Sequence, residues 1–313
     1  MRYCLVSRVR GTFWGALVGE SLFLAKRQKQ FQVLESGENS SRWQKLATLT
    51  GESLIELGRF DCRDWVRRQQ QAGIILGESP SEVILATLPI ALFFHENPVK
   101  LRQNLLEAVK VWQDEQLYQD WTLVVGYAIA QSLTQKLAPL TLIPQTVSFL
   151  EKTPTKVPQI LLKLNNLLEE QVGLERIQTE FSREEKLSHA MAIAFYCFLS
   201  TLEQFPLSVS RASWVNWLSP FISAITGALS GAYNSTAGIP IRWQLLVCKP
   251  KSSQWQRTNL SQVLKLADVL VATWSGVYNP ALYQGELQTR EYNVASSTSF
   301  LPAIAAPGVI RQR

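Results

Sequence analysis

The sequence predicts an all-α protein, and three observations carry that prediction. Apolar residues recur at three- and four-residue spacing through most of the 313 residues, and no stretch sustains the period-two alternation of a half-buried strand. Short turns bearing Gly, Pro or Asp separate these stretches. Two distant segments carry small residues at helical spacing: Gly11, Gly15 and Gly19 at i, i+4 and i+8, then Gly227, Ala228, Gly231 and Ala232. Each Gly inside a helix costs about 1 kcal/mol relative to Ala, so such stripes imply close approach of another backbone. The two smooth faces are natural partners, which makes residues 223–243 a buried central helix.

Taken in order, the first helix spans 10–26, with Phe13, Leu17 and Leu24 available for packing, and the polar stretch 27–41 reads as a loop. A second helix runs from Arg42 to Leu57 and stops at Gly58. Asp61 and Asp64 open the next one, Cys62–Gln71, as a capping pair. Ser79–Ser81 starts a single apolar helix through Phe94 with Pro89 inside it. Amphipathic helices follow over Asn97–Gln113, Leu117–Lys136, Leu142–Thr153 and Pro158–Gln171. Ser182-Arg-Glu-Glu185 reads as a capping box for a strongly apolar helix to Leu202. Gly238 and Pro240 stop the central helix, Arg242 and Trp243 anchor its end, and Leu260–Val277 forms the last helix. Residues 1–280 read as one helical domain and 281–313 as an irregular tail.

Composition bounds the function. A 46% hydrophobic content suffices for a large core. The net charge of +6 is uneven: residues 1–203 are balanced, whereas 204–313 hold nine Lys or Arg against Asp268, Glu286 and Glu291. With no dense Lys/Arg run, this argues against nucleic acid. Cys4, Cys62, Cys197 and Cys248 form no Cys-x-x-Cys pair, which suits a reducing, cytoplasmic setting and neither zinc nor a disulfide framework. His95, beside Asn97-Pro98, reads as a cap, and His189 as a structural residue. No apolar run reaches the ~20 residues of a membrane span.

Two motifs carry a family resemblance. Arg10-Gly-Thr-Phe-Trp-Gly-Ala-Leu-Val-Gly-Glu-Ser-Leu22 is similar to the Arg-Gly-x-x-x-Gly-x-x-x-Gly-Asp-Ala-Leu opening of the ADP-ribosylglycohydrolases, and Gly227-Ala-Leu-Ser-Gly-Ala-Tyr233 with Ile239-Pro-Ile-Arg-Trp243 resembles their C-terminal signature. Pro89-Ile-Ala-Leu92 is similar to a third element, whose Arg is replaced here by Ala86. The resemblance spans residues 8–280 and implies a compact multi-helix orthogonal bundle of the ADP-ribosylglycohydrolase type. It also implies hydrolysis of a glycosidic bond to ADP-ribose with two Mg²⁺ or Mn²⁺ ions held by carboxylates and Thr hydroxyls.

The ligand positions depart from that pattern. The Thr-Asp-Asp-Thr run falls on Ser41-Arg42-Trp43-Gln44, and the Asp-x-Asp-Thr run on Leu218-Ser219-Pro220-Phe221. Only Glu20, at the Asp of the first motif, keeps a carboxylate, and no acid lies between Glu203 and Asp268. Hard divalent cations need anionic oxygen ligands, so no metal and no cofactor is expected. The former cleft is either filled by Trp43, Leu218 and Phe221, or kept as a pocket where Arg42 supplies charge and Trp43, Trp217 or Phe221 a stacking face. A rebuilt glycosidase would need Glu20 with Glu52 or Glu56. The leading expectation is a catalytically inactive member that binds a protein partner as scaffold or regulator. The alternatives are a hydrolase with non-standard or no metal ligands, and a protein that binds ADP-ribose or a nucleotide without turnover.

Overall fold

A helix that is apolar all round must lie inside other helices, and Lys186–Leu199 meets that description: every residue from Leu187 to Leu199 is buried. Around it the structure, a computed structural model, describes residues 3–31, 42–74, 82–112, 115–215, 220–248 and 255–277, with backbone alone at 27–31, 248 and 255–260. All described residues belong to the unit Met1–Tyr278. The 281–313 stretch, expected to be irregular, lies outside the described residues.

The first elements are α1 (Leu5–Phe31), α2 (Arg42–Leu57), α3 (Cys62–Gln71), α4 (Glu82–Ala86) and α5 (Leu88–Phe93). Then come α6 (Pro98–Trp112), α7 (Gln116–Leu133), α8 (Pro139–Leu150), α9 (Val157–Glu169) and α10 (Leu174–Glu180). The last are α11 (Lys186–Leu199), α12 (Phe205–Ser213), α13 (Pro220–Asn234), α14 (Ile241–Cys248) and α15 (Trp255–Trp274), with a 3-10 turn at Thr236–Gly238 before α14. The described residues contain no strand, as the sequence predicts.

The two small-residue stripes meet. A Cβ placed on Gly15 would stand 2.0 Å from the Gly227 carbonyl oxygen, and one on Gly227 would stand 2.0 Å from that of Gly15. Gly11 faces Gly231 in the same way, and Gly19 faces Ser223, whose oxygen would be 1.9 Å from an added Cβ. Pairings that rise on one helix and fall on the other make α1 and α13 antiparallel. Arg10 adds an ion pair to Asp268 of α15 at 2.5 Å.

Several boundaries match the sequence. α2 runs from Arg42 to Leu57, and Gly58 follows with φ +63° while its N–H donates to the Leu54 carbonyl. Asp61 caps α3, accepting from the Arg63 and Asp64 N–H groups. Other expectations are corrected. The apolar helix through Phe94 breaks at Thr87, because Pro89 has no N–H to continue the ladder and sits instead in the first turn of α5. Ser182 does not cap α11: its hydroxyl donates to the Thr179 carbonyl behind it, and the N-cap is Glu185. The central helix ends at Asn234 rather than at Gly238, since Ser235 turns the chain with φ 58° and Gly238 closes the short 3-10 turn. The first helix is longer than expected, the sequence spacing predicts none of α10, α12 and α14, and Arg242 and Trp243 lie within α14.

Candidate functional site

The site is built where α1, α2 and the head of α13 meet. Gly19 brings α1 against Ser223, which fixes the next residue, Glu20, beside the first turn of α2. Glu20 is only 8% exposed, and two side chains donate to its Oε2. They are the Trp43 indole Nε1 at 3.2 Å and the Gln44 amide Nε2 at 3.1 Å. A carboxylate only accepts, so Gln44 must present its NH₂. Two neutral donors thus offset part of the desolvation penalty that a buried carboxylate bears.

Of the other positions, Trp43 is 3% and Phe221 8% exposed, so both aromatic rings are buried. Arg42 and Pro220 are half-buried at the heads of α2 and α13. Ser41, Leu218 and Ser219, like Trp217, lie outside the described residues. Ser223, in the first turn of α13, is fully buried and its hydroxyl has no hydrogen-bond partner. A cavity of about 280 Å³ reaches Gln44; its other walls are Lys45, Thr48, Leu49, Ala72, Ile74, Gln262 and Val263, with no carboxylate among them.

The residues described here do not fit a pair of divalent cations. Trp43 and Gln44 aim N–H groups, not oxygens, at the Glu20 carboxylate, and the neighbouring position in the chain is the cation Arg42 rather than an acid. Among the described residues no three His, Cys, Asp or Glu side chains converge. Glu52 lies two turns along α2 from Gln44, about 12 Å at 1.5 Å per residue, and is exposed. Glu56 is ion-paired with Arg68.

The nucleophile and base candidates lie elsewhere. Cys197 is buried in α11, and burial pushes its thiol up to about 12. His95 shares a 2.7 Å hydrogen bond between Nδ1 and the Leu92 carbonyl and packs on Trp274, which is the capping role read from the sequence. His189 is 2% exposed within α11. Burial lowers the pKa of both histidines. Sequence reasoning marked Trp43 and Gln44 as replaced ligands but missed that they become the donors to Glu20. The available signal was the exchange of two acceptors for two donors opposite a surviving acid.

Among curated proteins no relative matches the chain. A solved structure described as an ADP-ribosylglycohydrolase-related protein complex is similar in fold, with a TM-score of 0.56 and 16% identity over 85% of this chain and 99% of that one. No helix among the described residues is long and apolar enough to cross a membrane. Residues 1–279 match the sequence profile of the family described as ADP-ribosylglycohydrolase, nearly the span inferred from the two glycine motifs, and the chain belongs to that family.

Proposed function

We propose that this protein keeps the ADP-ribosylglycohydrolase fold for binding and does not hydrolyse ADP-ribosyl groups. The observation that carries the reading is the Glu20 lock: the carboxylate at the first-motif acid position accepts from Trp43 and Gln44, two residues that stand where the family pattern has metal-ligating oxygens. Breaking that lock to admit a cation would strip a buried carboxylate of these two donors and leave an indole N–H facing a positive ion. The burial of Trp43 and Phe221 supports a filled cleft over an open one. The proposal extends to a role beside a protein partner in the cytoplasm, and the structural neighbour is described as an ADP-ribosylglycohydrolase-related protein complex.

The test combines metal analysis of the purified chain with a release assay on ADP-ribosylated arginine in Mg²⁺ and in Mn²⁺. The expected outcome is no bound metal in stoichiometric amount, no release above buffer, and no change in Glu20→Gln. Stoichiometric metal, or turnover that Glu20→Gln abolishes, would overturn the proposal in favour of a hydrolase with unusual ligands.

A further inference from the structure

The outer face of α12 carries side chains that the core does not use. Leu207, Arg211 and the C-cap residue Trp214 stand at i, i+4 and i+7 and so form one line along the helix. Trp214 is 67% and Leu207 43% exposed. Two cations, Arg211 on this line and Lys26 beside it, stack on rings. Lys26 of α1 places its Nζ 4.6 Å from the centre of the Trp214 ring and donates to the Ser213 hydroxyl at 2.5 Å. Arg211 lies 5.0 Å from the Tyr196 ring and donates to the Ser200 hydroxyl at 2.8 Å. The sequence offers no acid between Glu203 and Asp268 to pair with α12 from its own neighbourhood.

Arg211 also lines a groove of about 630 Å³ between α8, α9, α11 and α12. Its walls include Leu140, Leu168, Val172 and Leu199, with Glu169 as the one acid. Leu140, at the groove's edge, is 75% exposed. An exposed Trp held in place by a cation gives up little side-chain freedom on contact, and Trp and Arg are the residues that dominate interface energetics. Two cations seated on rings retain their charge for an incoming anion, because a ring neutralises nothing.

We propose that this face is a docking surface for a protein segment carrying carboxylates beside apolar side chains. The apolar residues enter the groove beside Leu140 and Leu168, and the carboxylates meet Arg211 on the α12 line and Lys26 stacked on Trp214 at its end. A phosphate chain fits less well, because two cations are few for a polyanion and the groove sets aliphatic side chains such as Leu140 and Leu168 beside uncharged polar ones such as Asn165 and Gln171. The inference rests on the binding role proposed above and adds the chemistry of the partner.

The test is selection of random peptides on the immobilised full chain, followed by synthesis of a selected peptide and its titration against wild type and variants. Enrichment in Asp and Glu next to Leu, Phe or Trp is expected. So is a loss of affinity of about ten-fold or more in Trp214→Ala, a smaller loss in Lys26→Ala and Arg211→Ala, and weakening as salt is raised. Val99→Ala, 76% exposed on α6, serves as the unaffected control. All four positions carry at least part of their surface in solvent, and matched melting temperatures show that the variants fold. Failure to select any peptide, peptides without acidic enrichment, unchanged binding in Trp214→Ala, or equal competition by polyphosphate would each overturn the proposal. Absence of peptide binding leaves the non-hydrolytic reading standing, and hydrolysis of ADP-ribosyl arginine leaves the docking result standing, so the two fail separately.

Discussion

Gly15→Ala tests the contact on which the fold closes. The new methyl group would sit 2.0 Å from the Gly227 carbonyl oxygen, roughly 1.4 Å short of an ordinary contact at about 3.4 Å, and the obstacle is backbone with no rotamer to yield. α1 and α13 must separate, and because the same approach recurs at Gly11–Gly231 and Gly19–Ser223, one methyl loosens all three crossings. Overpacking of this kind costs about 1–3 kcal/mol, and the upper end applies where backbone meets backbone. Ala regains about 1 kcal/mol of helix propensity, which leaves a net loss of about 2 kcal/mol. For a domain of this size that lowers the melting temperature by about 4–8 °C, measured by circular dichroism or scanning calorimetry. Gly173→Ala is the control, with ordinary backbone angles and open space around it, and should cost less than about 0.5 kcal/mol. The double variant Gly15→Ala/Gly227→Ala should lose less than the two single losses added, since one separation accommodates both methyls. A Gly15→Ala protein that melts within about 1 °C of wild type would refute the reasoning.

Asp64 accepts hydrogen bonds from Ser53 at 2.7 Å, Arg68 at 2.6 Å, and Arg67. Burial alone would raise its pKa, but the bonds from Arg68, Ser53 and Arg67 outweigh it and hold the carboxyl below its ordinary value. That contribution is full above the unfolded-state value near 4 and is lost as pH falls through the folded-state value. Asp64→Asn should therefore be less stable by about 1–2 kcal/mol at neutral pH and show a shallower decline in acid, read from urea midpoints across pH. His95 behaves in the same direction for a different reason. Burial lowers its pKa below 6.5, with the Leu92 carbonyl and Glu96 opposing, so the unfolded chain takes up the proton first and stability falls as pH drops below 6.5. His95→Gln should flatten that part of the curve, and an unchanged slope would count against a buried neutral imidazole. Ser235 holds φ 58° and ψ −172°, a backbone region that favours glycine. Ser235→Gly should raise the melting temperature by a few degrees, because about 1–2 kcal/mol of relieved strain exceeds the lost hydroxyl bond to the Ala237 N–H.

The features legible in the sequence were those written in single residue types. Gly11, Gly15 and Gly19 can face Gly227 and Gly231 only if two backbones touch, so their pairing followed from spacing alone. Gly58 and Asp61 likewise announced a stop and a start. The failures share another cause, local competition for the same groups. Ser182 had a carbonyl behind it as well as N–H groups ahead, and the Thr179 carbonyl won. Pro89 could kink a helix or begin one, and the missing N–H settled on beginning one. At the candidate site, spacing located Glu20, Trp43 and Gln44 but said nothing of polarity. That an indole and an amide face a carboxylate depends on how far α1 and α2 approach, a distance set by packing elsewhere.

The glycine contact between α1 and α13 has a bearing on how the protein is made. During translation the first helix emerges with its smooth face bare, and the surface that meets it is encoded some two hundred residues later. Nascent chains arrested before Pro220 therefore lack the piece that closes them, and a ribosome-bound intermediate of that length is the form of this protein most in need of a chaperone.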